Sequence, residues 1–332
     1  MSSPLLEIEN LRVEFDTRDG VARVIDDLDI SLDAGETLGI VGESGCGKSM
    51  TALSVMGLVP VPPGRIASGT IRLDGEDLLT APDRRMRDVR GNEISMIFQE
   101  PMTSLNPVFS IGDQIAETVI LHENKNKSEG WERAVAMLDA VGIPEAARRA
   151  RDYPHQLSGG MRQRVMIAMA LACQPRVLIA DEPTTALDVT VQAQIFDLLV
   201  ELREKTGAAI ILITHDMGVI AEMTERVVVM YAGRKVEDAP VNEILANPKH
   251  PYTKGLIACV PHLSAEPPKE RPPLLEIPGV VPSLTKLGQG CPFAPRCSQA
   301  IEKCRQEMPE RHVAGPQHNV ACWVVEMEGG AA

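Results

Sequence analysis

No apolar run in this chain approaches the roughly 18 to 20 residues that a helix needs to span a bilayer. The first residues, MSSPLLEIEN, carry acids where a secretory signal would carry lysine or arginine, so the expectation is a chain that stays in the cytosol. Cationic side chains are scarce as well: 33 Lys and Arg stand against 46 Asp and Glu, a net charge of −13. Phosphate neutralisation supplies most of a protein's affinity for nucleic acid, so this balance argues against a surface dedicated to it and leaves room only for a local basic patch. There is no internal repeat, and no low-complexity tract outside one proline-rich stretch. Structural disulfides are not expected in the cytosol, so any cluster among the seven cysteines points first to metal or redox chemistry. What remains is ordinary globular composition, 44% hydrophobic and 24% charged, with length for about two domains.

Against that background one stretch stands out, GESGCGKS at residues 42–49. The apolar run before it (36–41, ETLGIV) reads as a buried strand, and the run after it (50–58, MTALSVMGL) has helical spacing, which is the context a phosphate-binding loop requires. Gly42, Gly45 and Gly47 let the backbone adopt positive φ and turn its N–H groups onto the α- and β-phosphates, with Ser44, Cys46 and Met50 completing the cradle. Lys48 is placed to reach the β- and γ-phosphates. The Ser49 hydroxyl is placed to complete a Mg²⁺ ligand set at a helix N-terminus. The nucleotide is a triphosphate.

Around this loop the chain reads as α/β. Residues 5–32 alternate apolar and polar about the turn at 16–20, which predicts two antiparallel strands, a β-subdomain covering the nucleotide. From 111 to about 151 the spacing turns helical, with the polar stretch 122–130 (HENKNKSEG) as the loop between two helices. This is a helical insertion within about 100–160. The short β-branched runs 177–179, 208–213 and 226–230 alternate with helical patterns such as 191–204 and predict a parallel sheet. Domain boundaries follow: a nucleotide-binding domain over 1–260, a proline-rich connector over 261–288, and a small cysteine-rich module over 289–332.

Two further motifs carry chemistry. LSGGMRQR (157–164) precedes a helical run, so Ser158, Gly159 and Gly160 form an anion-binding helix end. The chain already holds its own nucleotide at one loop, and a second such site makes most sense if it serves a nucleotide on another subunit. In VLIADEP, Asp181 and Glu182 close a strand with two carboxylates of different use. Asp181 is placed to hold Mg²⁺ and Glu182 to orient and deprotonate the attacking water.

Taken together, GESGCGKS, Gln99, LSGGMRQR, VLIADEP, Ala186-Leu187-Asp188 and Thr214-His215-Asp216 resemble the ATP-binding cassette family, in that family's order, over residues 5 to about 240. The resemblance implies an ABC-type fold with a RecA-like P-loop core, an antiparallel β-subdomain and a helical insertion. It makes Gln99 the glutamine that senses Mg²⁺ and the γ-phosphate and relays to the membrane partner. It makes His215 the histidine contacting that phosphate and Asp188 an aspartate crossing the dimer interface. Phe15 is the candidate for stacking on adenine, or equally for packing inside the β-subdomain. EPMTSLNP (100–107), TALDVTVQAQI (185–195) and HPYTKGL (250–256) narrow the resemblance to the ATPase subunits of bacterial oligopeptide and dipeptide importers, a group that includes nickel and some sugar importers. The implied partners are a second homologous ATPase subunit, two membrane permeases and an extracytoplasmic solute-binding protein, with no nucleic acid. The implied location is the cytoplasmic face of the inner or plasma membrane. A soluble cassette ATPase outside transport, acting on nucleic acid or on iron–sulfur assembly, is the competing class.

The tail spaces Cys291, Cys297, Cys304 and Cys322 within about thirty residues, four soft ligands suited to Zn²⁺ or an iron–sulfur cluster. The gaps are wider than the close pairs of structural zinc sites. The resemblance leans toward [4Fe–4S], with His312 and His318 able to replace a cysteine and four unliganded thiols as the plain alternative. Cys46, Cys173 and Cys259 read as packing.

Overall fold

A computed structural model describes residues 3–99, 104–184, 189–260 and 276–329. Residues 100–103 (EPMT), 185–188 with Asp188, and the first half of the proline-rich connector lie outside them.

Strands β1 (Leu6–Thr17) and β2 (Gly20–Leu32) form the long antiparallel hairpin that the alternation predicts. Leu6, Ile8, Leu11 and Val13 of β1 are all buried on one face. The other edge of β1 carries β4 (Gly64–Leu73), and β5 (Glu76–Asp77) completes a sheet of order β2-β1-β4-β5.

The main sheet has the order β11 (His312–Gly315), β12 (His318–Val320), β10 (Arg234–Pro240), β9 (Arg226–Tyr231), β3 (Thr37–Val41), β8 (Ala209–Ile213), β7 (Val177–Asp181), β6 (Ile94–Ile97). Its parallel part consists of β3, β6, β7, β8 and β9. Every residue of β3, β7 and β8 is buried, as expected of strands covered on both faces. Because these strands run one way, the phosphate loop after β3, Gln99 beyond β6, Asp181 and Glu182 at the end of β7 and His215 beyond β8 emerge along one edge. That edge is where parallel α/β sheets bind ligands.

The insertion forms helices Ile111–Glu123, Lys127–Ala140 and Ala146–Arg149, which share a core with the helix Gly159–Leu171. The polar loop expected at 122–130 is shorter than that. Asn126 caps the second helix by accepting from the Ser128 and Glu129 N–H groups, and Glu129 reciprocates on the Asn126 N–H. Lys127 to Gly130 are thus a first helical turn whose polarity is that of an N-terminus. Gly130 sits where a Cβ would come within 2.8 Å of Ile120, so it permits the two helices to approach closely.

The C-terminal segment is not set apart as a module of its own. Strands β11 (His312–Gly315) and β12 (His318–Val320) join the main sheet through β10 (Arg234–Pro240), pairing Glu237 with Val320 and Asp238 with Asn319. Ile277, Val281, Leu284 and Leu287 pack with Tyr231, Tyr252 and Phe293 of the same core. Too small to build its own interior, the tail borrows that of the cassette.

Candidate functional site

Helix Lys48–Val55 starts directly from the glycine-rich loop, with Gly47 at its N-cap in a left-handed conformation. Gly42, Gly45 and Gly47 adopt φ of 152°, 79° and 103°, as the loop's chemistry demands. The Lys48 ammonium is buried and donates to the carbonyls of Gly42 at 2.7 Å and Glu43 at 3.1 Å. Beneath the loop Cys46 is buried, which pushes its thiol pKa up against the opposing charge of Lys48. Ser44 lies exposed on the loop, and Met50 packs at the edge of the core below it.

Opposite the loop, the Ser49 hydroxyl donates to Asp181 Oδ1 at 3.1 Å. Burial pushes the Asp181 carboxyl above the usual carboxylate range, with the Ser49 hydrogen bond and the Lys48 charge opposing. Two hard oxygen donors thus stand together where a divalent cation would favour the ionised carboxylate, so this donor set fits Mg²⁺. Next along the chain, Glu182 takes φ 47°, and its backbone N–H donates to the Ile213 carbonyl at 2.8 Å. Gln99 Nε2 donates to Glu182 Oε2 at 2.9 Å, and His215 Nδ1 lies 3.4 Å from Oε1. A cleft of about 470 Å³ gathers Gly42, Ser44, Lys48, Glu182 and His215, with Leu256, Cys259 and Val260 as an apolar wall. Larger clefts of about 780 and 620 Å³ lie away from it, lined by tail residues such as Pro292 and Met308, by Arg234 of β10, and by Asp27 in the first and Val21 and Arg23 in the second.

Ser158 caps the helix Gly159–Leu171, its hydroxyl accepting from the Met161 N–H at 3.3 Å. Neither Ser158 nor Gly160 lines the cleft at the phosphate loop. Phe15 is half-buried in register with Gly64, where a Cβ would come within 2.8 Å of its ring, so much of the ring is committed to packing.

Buried polar residues escaped the sequence reading, Gln163 and Glu237 among them. Gln163 is buried in the helix after LSGG and donates to the Pro183 carbonyl, tying that helix to the residue after Glu182. Glu237 is also buried, accepting from the Lys249 and His250 N–H groups at 2.6 and 3.0 Å and lying 2.7 Å from His318 Nε2. His318 is therefore held by a carboxylate. The motif HPYTKGL follows from this anchor: His250 caps the helix Pro251–Ala258 by accepting from the Tyr252 N–H at 3.0 Å. Nothing in the sequence pattern marks Gln163 or Glu237, because their partners lie far along the chain or in the backbone.

Cys291, Cys297, Cys304 and Cys322 are free thiols that line one small pocket with His250 and Phe293. Burial pushes Cys291 up to about 11 and raises Cys297 and Cys322 as well. Among the described residues no three Cys, His, Asp or Glu side chains stand close enough to hold a metal ion. The pocket offers about 10 Å³, room for about one water. As packed, these thiols do not fit a zinc ion or a [4Fe–4S] cluster. His312, the other candidate ligand, has both ring nitrogens buried without a hydrogen-bond partner.

Comparison with known proteins agrees with this geometry. The family profile described as "ABC transporter" matches residues 25–185, and that described as "Oligopeptide/dipeptide transporter, C-terminal region" matches 236–304. The oligopeptide transport ATP-binding protein AppD of Bacillus subtilis is 48% identical over 327 residues, 98% of each chain. OppD of Salmonella typhimurium, of the same description, is 52% identical over 305 residues, 92% of this chain and 89% of its own. Among solved structures, the dimeric ATP-binding cassette MJ0796 in a post-hydrolysis state with ADP and Pi superimposes with a TM-score of 0.64 at 26% identity. That match covers 71% of this chain and 98% of the cassette.

Proposed function

The chain belongs to the ABC transporter family of ATP-binding subunits, and on that premise we propose that it powers the import of oligopeptides or dipeptides through a membrane transporter. The observation that carries ATP hydrolysis is the meeting of Lys48, Ser49, Asp181, Glu182, Gln99 and His215 on one sheet edge. The peptide substrate is supported by the match of residues 236–304 to the oligopeptide/dipeptide transporter profile.

In this reading Gly42, Ser44, Gly45, Cys46, Gly47 and Met50 shape the cradle, and Lys48 neutralises the β- and γ-phosphates. Ser49 and Asp181, together with Gln99, would hold Mg²⁺. The metal, when bound, neutralises charge developing on the transferred phosphoryl group. Glu182 takes the proton from the attacking water, held between Gln99 on one oxygen and His215 on the other. The half-buried ring of Phe15 supports adenine with its exposed part. Ser158 and Gly160 complete the nucleotide site of a partner cassette, a reading supported by the likeness to a dimeric cassette. The partner is a second homologous ATPase, and the pair is seated on two permeases served by an extracytoplasmic binding protein.

None of the described helices is long and apolar enough to cross a membrane, so attachment to the cytoplasmic face rests on the permeases. Val108 and Phe109, exposed just before the helix Ile111–Glu123 of the insertion, are suited to receive a permease helix. Affinity purification of the tagged full chain from membranes is expected to bring down two multispanning permeases and a second ATPase. Recovery of the chain with nucleic acid and no permease overturns the transport reading.

A metal in the tail is a separate proposal. Four cysteines supply the donor chemistry, but the side chains would have to rearrange to make a ligand set. Anaerobic purification with metal analysis is expected to find about four irons per chain and brown colour if a cluster forms. Stoichiometric zinc assigns a Cys₄ zinc site, and a metal-free, protease-resistant tail removes both.

A further inference from the structure

The C-terminal tail reaches the phosphate loop itself, at Glu43, the second residue of GESGCGKS. Arg296 presents its guanidinium as a fork to the Glu43 carboxylate, with Nη1 to Oε2 at 2.6 Å and Nη2 to Oε1 at 3.0 Å. Its side chain is only 4% exposed. Nε donates to the Pro278 carbonyl at 2.8 Å, Nη2 also to Ile277 at 3.1 Å, and Nη1 also to the Tyr231 hydroxyl at 3.3 Å. All five N–H donors of this arginine are therefore used. The Glu43 backbone N–H donates to the Tyr252 hydroxyl at 2.7 Å, while its carbonyl accepts from Lys48. Tyr252 stands against Tyr231 with ring centroids 4.7 Å apart, and Tyr231 against Phe293 at 5.2 Å, a rigid frame behind the loop.

Two physical consequences follow. The N–H and the carboxylate of one loop residue are fixed by groups from outside the loop, so the cradle is preorganised before nucleotide arrives. The carboxylate also lies in the loop that receives a polyphosphate, where an uncompensated negative charge would repel the ligand. A half-buried charge stripped of its partner is unfavourable, and here it would also face like charge.

We propose that Arg296 and Tyr252 are positioning residues for ATP: the tail sets the nucleotide affinity of this cassette by holding Glu43 and cancelling its charge. The proposal rests on reading residues 42–49 as the ATP site. It gives HPYTKGL and the segment around Cys297 a purpose at the nucleotide, through contacts separated by 209 and 253 residues in sequence.

The test titrates Mg-ATP against the full-length chain and measures KM and kcat in the assembled transporter. Arg296→Gln is expected to weaken ATP binding about ten-fold, the order given by one exposed like charge near a polyphosphate at intermediate dielectric. The rise appears in KM, with kcat within about two-fold, because the loss is in ground-state binding. The double variant Arg296→Gln, Glu43→Gln is expected to recover to within about three-fold of the parent, since the repelling charge is gone. Tyr252→Phe keeps the ring packing and loses only the acceptor for the Glu43 N–H. It is expected to weaken binding about three-fold with little change in melting temperature, and it carries the test should Arg296→Gln not fold. Unchanged ATP affinity in both single variants overturns the proposal while leaving the ATP site standing. A double variant as weak as Arg296→Gln also overturns it, because the loss is then one of tail packing. A parent chain that binds no ATP overturns the functional reading, and the proposal with it.

Discussion

Glu182→Gln is expected to leave ATP binding intact while lowering turnover by roughly 10²- to 10⁴-fold, the range for removing a positioned general base. The substitution is nearly isosteric and the surroundings are prepared for it. The backbone at residue 182 is fixed by its N–H bond to Ile213 whatever the side chain, and Gln99 Nε2 at 2.9 Å can donate to an amide oxygen as it does to the carboxylate. What disappears is the basic oxygen facing His215. The phosphate-binding groups, Lys48 and the Ser49–Asp181 pair, are untouched. Comparing equilibrium nucleotide binding with phosphate release in the assembled transporter checks this. Hydrolysis at the parent rate sinks the assignment of Glu182.

The site was legible in the sequence wherever its parts are contiguous. The glycines of GESGCGKS announce positive φ, and all three expected positions adopt it. Asp181-Glu182 and Thr214-His215 follow short, β-branched apolar runs whose length favours buried strands, and the structure places them at strand ends. The helices of the insertion were legible from their spacing, but their loop was overextended because the polarity of a helix N-terminus resembles that of a loop until the Asn126–Glu129 capping box is recognised. Long-range pairings were the hidden part. Composition separated the tail from the cassette at the prolines, whereas backbone pairing of β12 with β10 and the buried Glu237–His318 contact join them. Likewise, four cysteines in sequence suggested a ligand set, and packing places them around one pocket without making one. Hydrogen bonds such as Arg296 to Glu43 depend on side chains meeting across more than 250 residues, which no local periodicity encodes.

Gly42→Ala is expected to abolish measurable ATP binding and to lower the melting temperature, and the neighbouring glycines show why this position is the more severe one. At Gly42 a Cβ would lie 2.3 Å from the Met230 carbonyl oxygen and 2.7 Å from Cys46 Sγ, with φ at 152°. Met230 belongs to a completely buried stretch of β9, the strand hydrogen-bonded to β3, so its carbonyl cannot retreat without disturbing the main sheet. Cys46 is itself buried beneath the loop. Relief must come from the loop, whose displacement carries the Gly42 carbonyl away from Lys48 and misaligns the N–H groups that receive phosphate. Overpacking costs about 1 to 3 kcal/mol and the unfavourable φ about as much again, enough to weaken binding by roughly 100-fold or more. Gly45 provides the contrast: its φ is 79°, but nothing lies within 4 Å of the added carbon. Gly45→Ala therefore incurs only the backbone strain, and binding is expected to fall about ten-fold. Titration of Mg-ATP against both full-length variants separates the two effects. Equal losses at the two positions would mean that backbone conformation alone decides the loop's competence, and the collision with Met230 would then have no part in it.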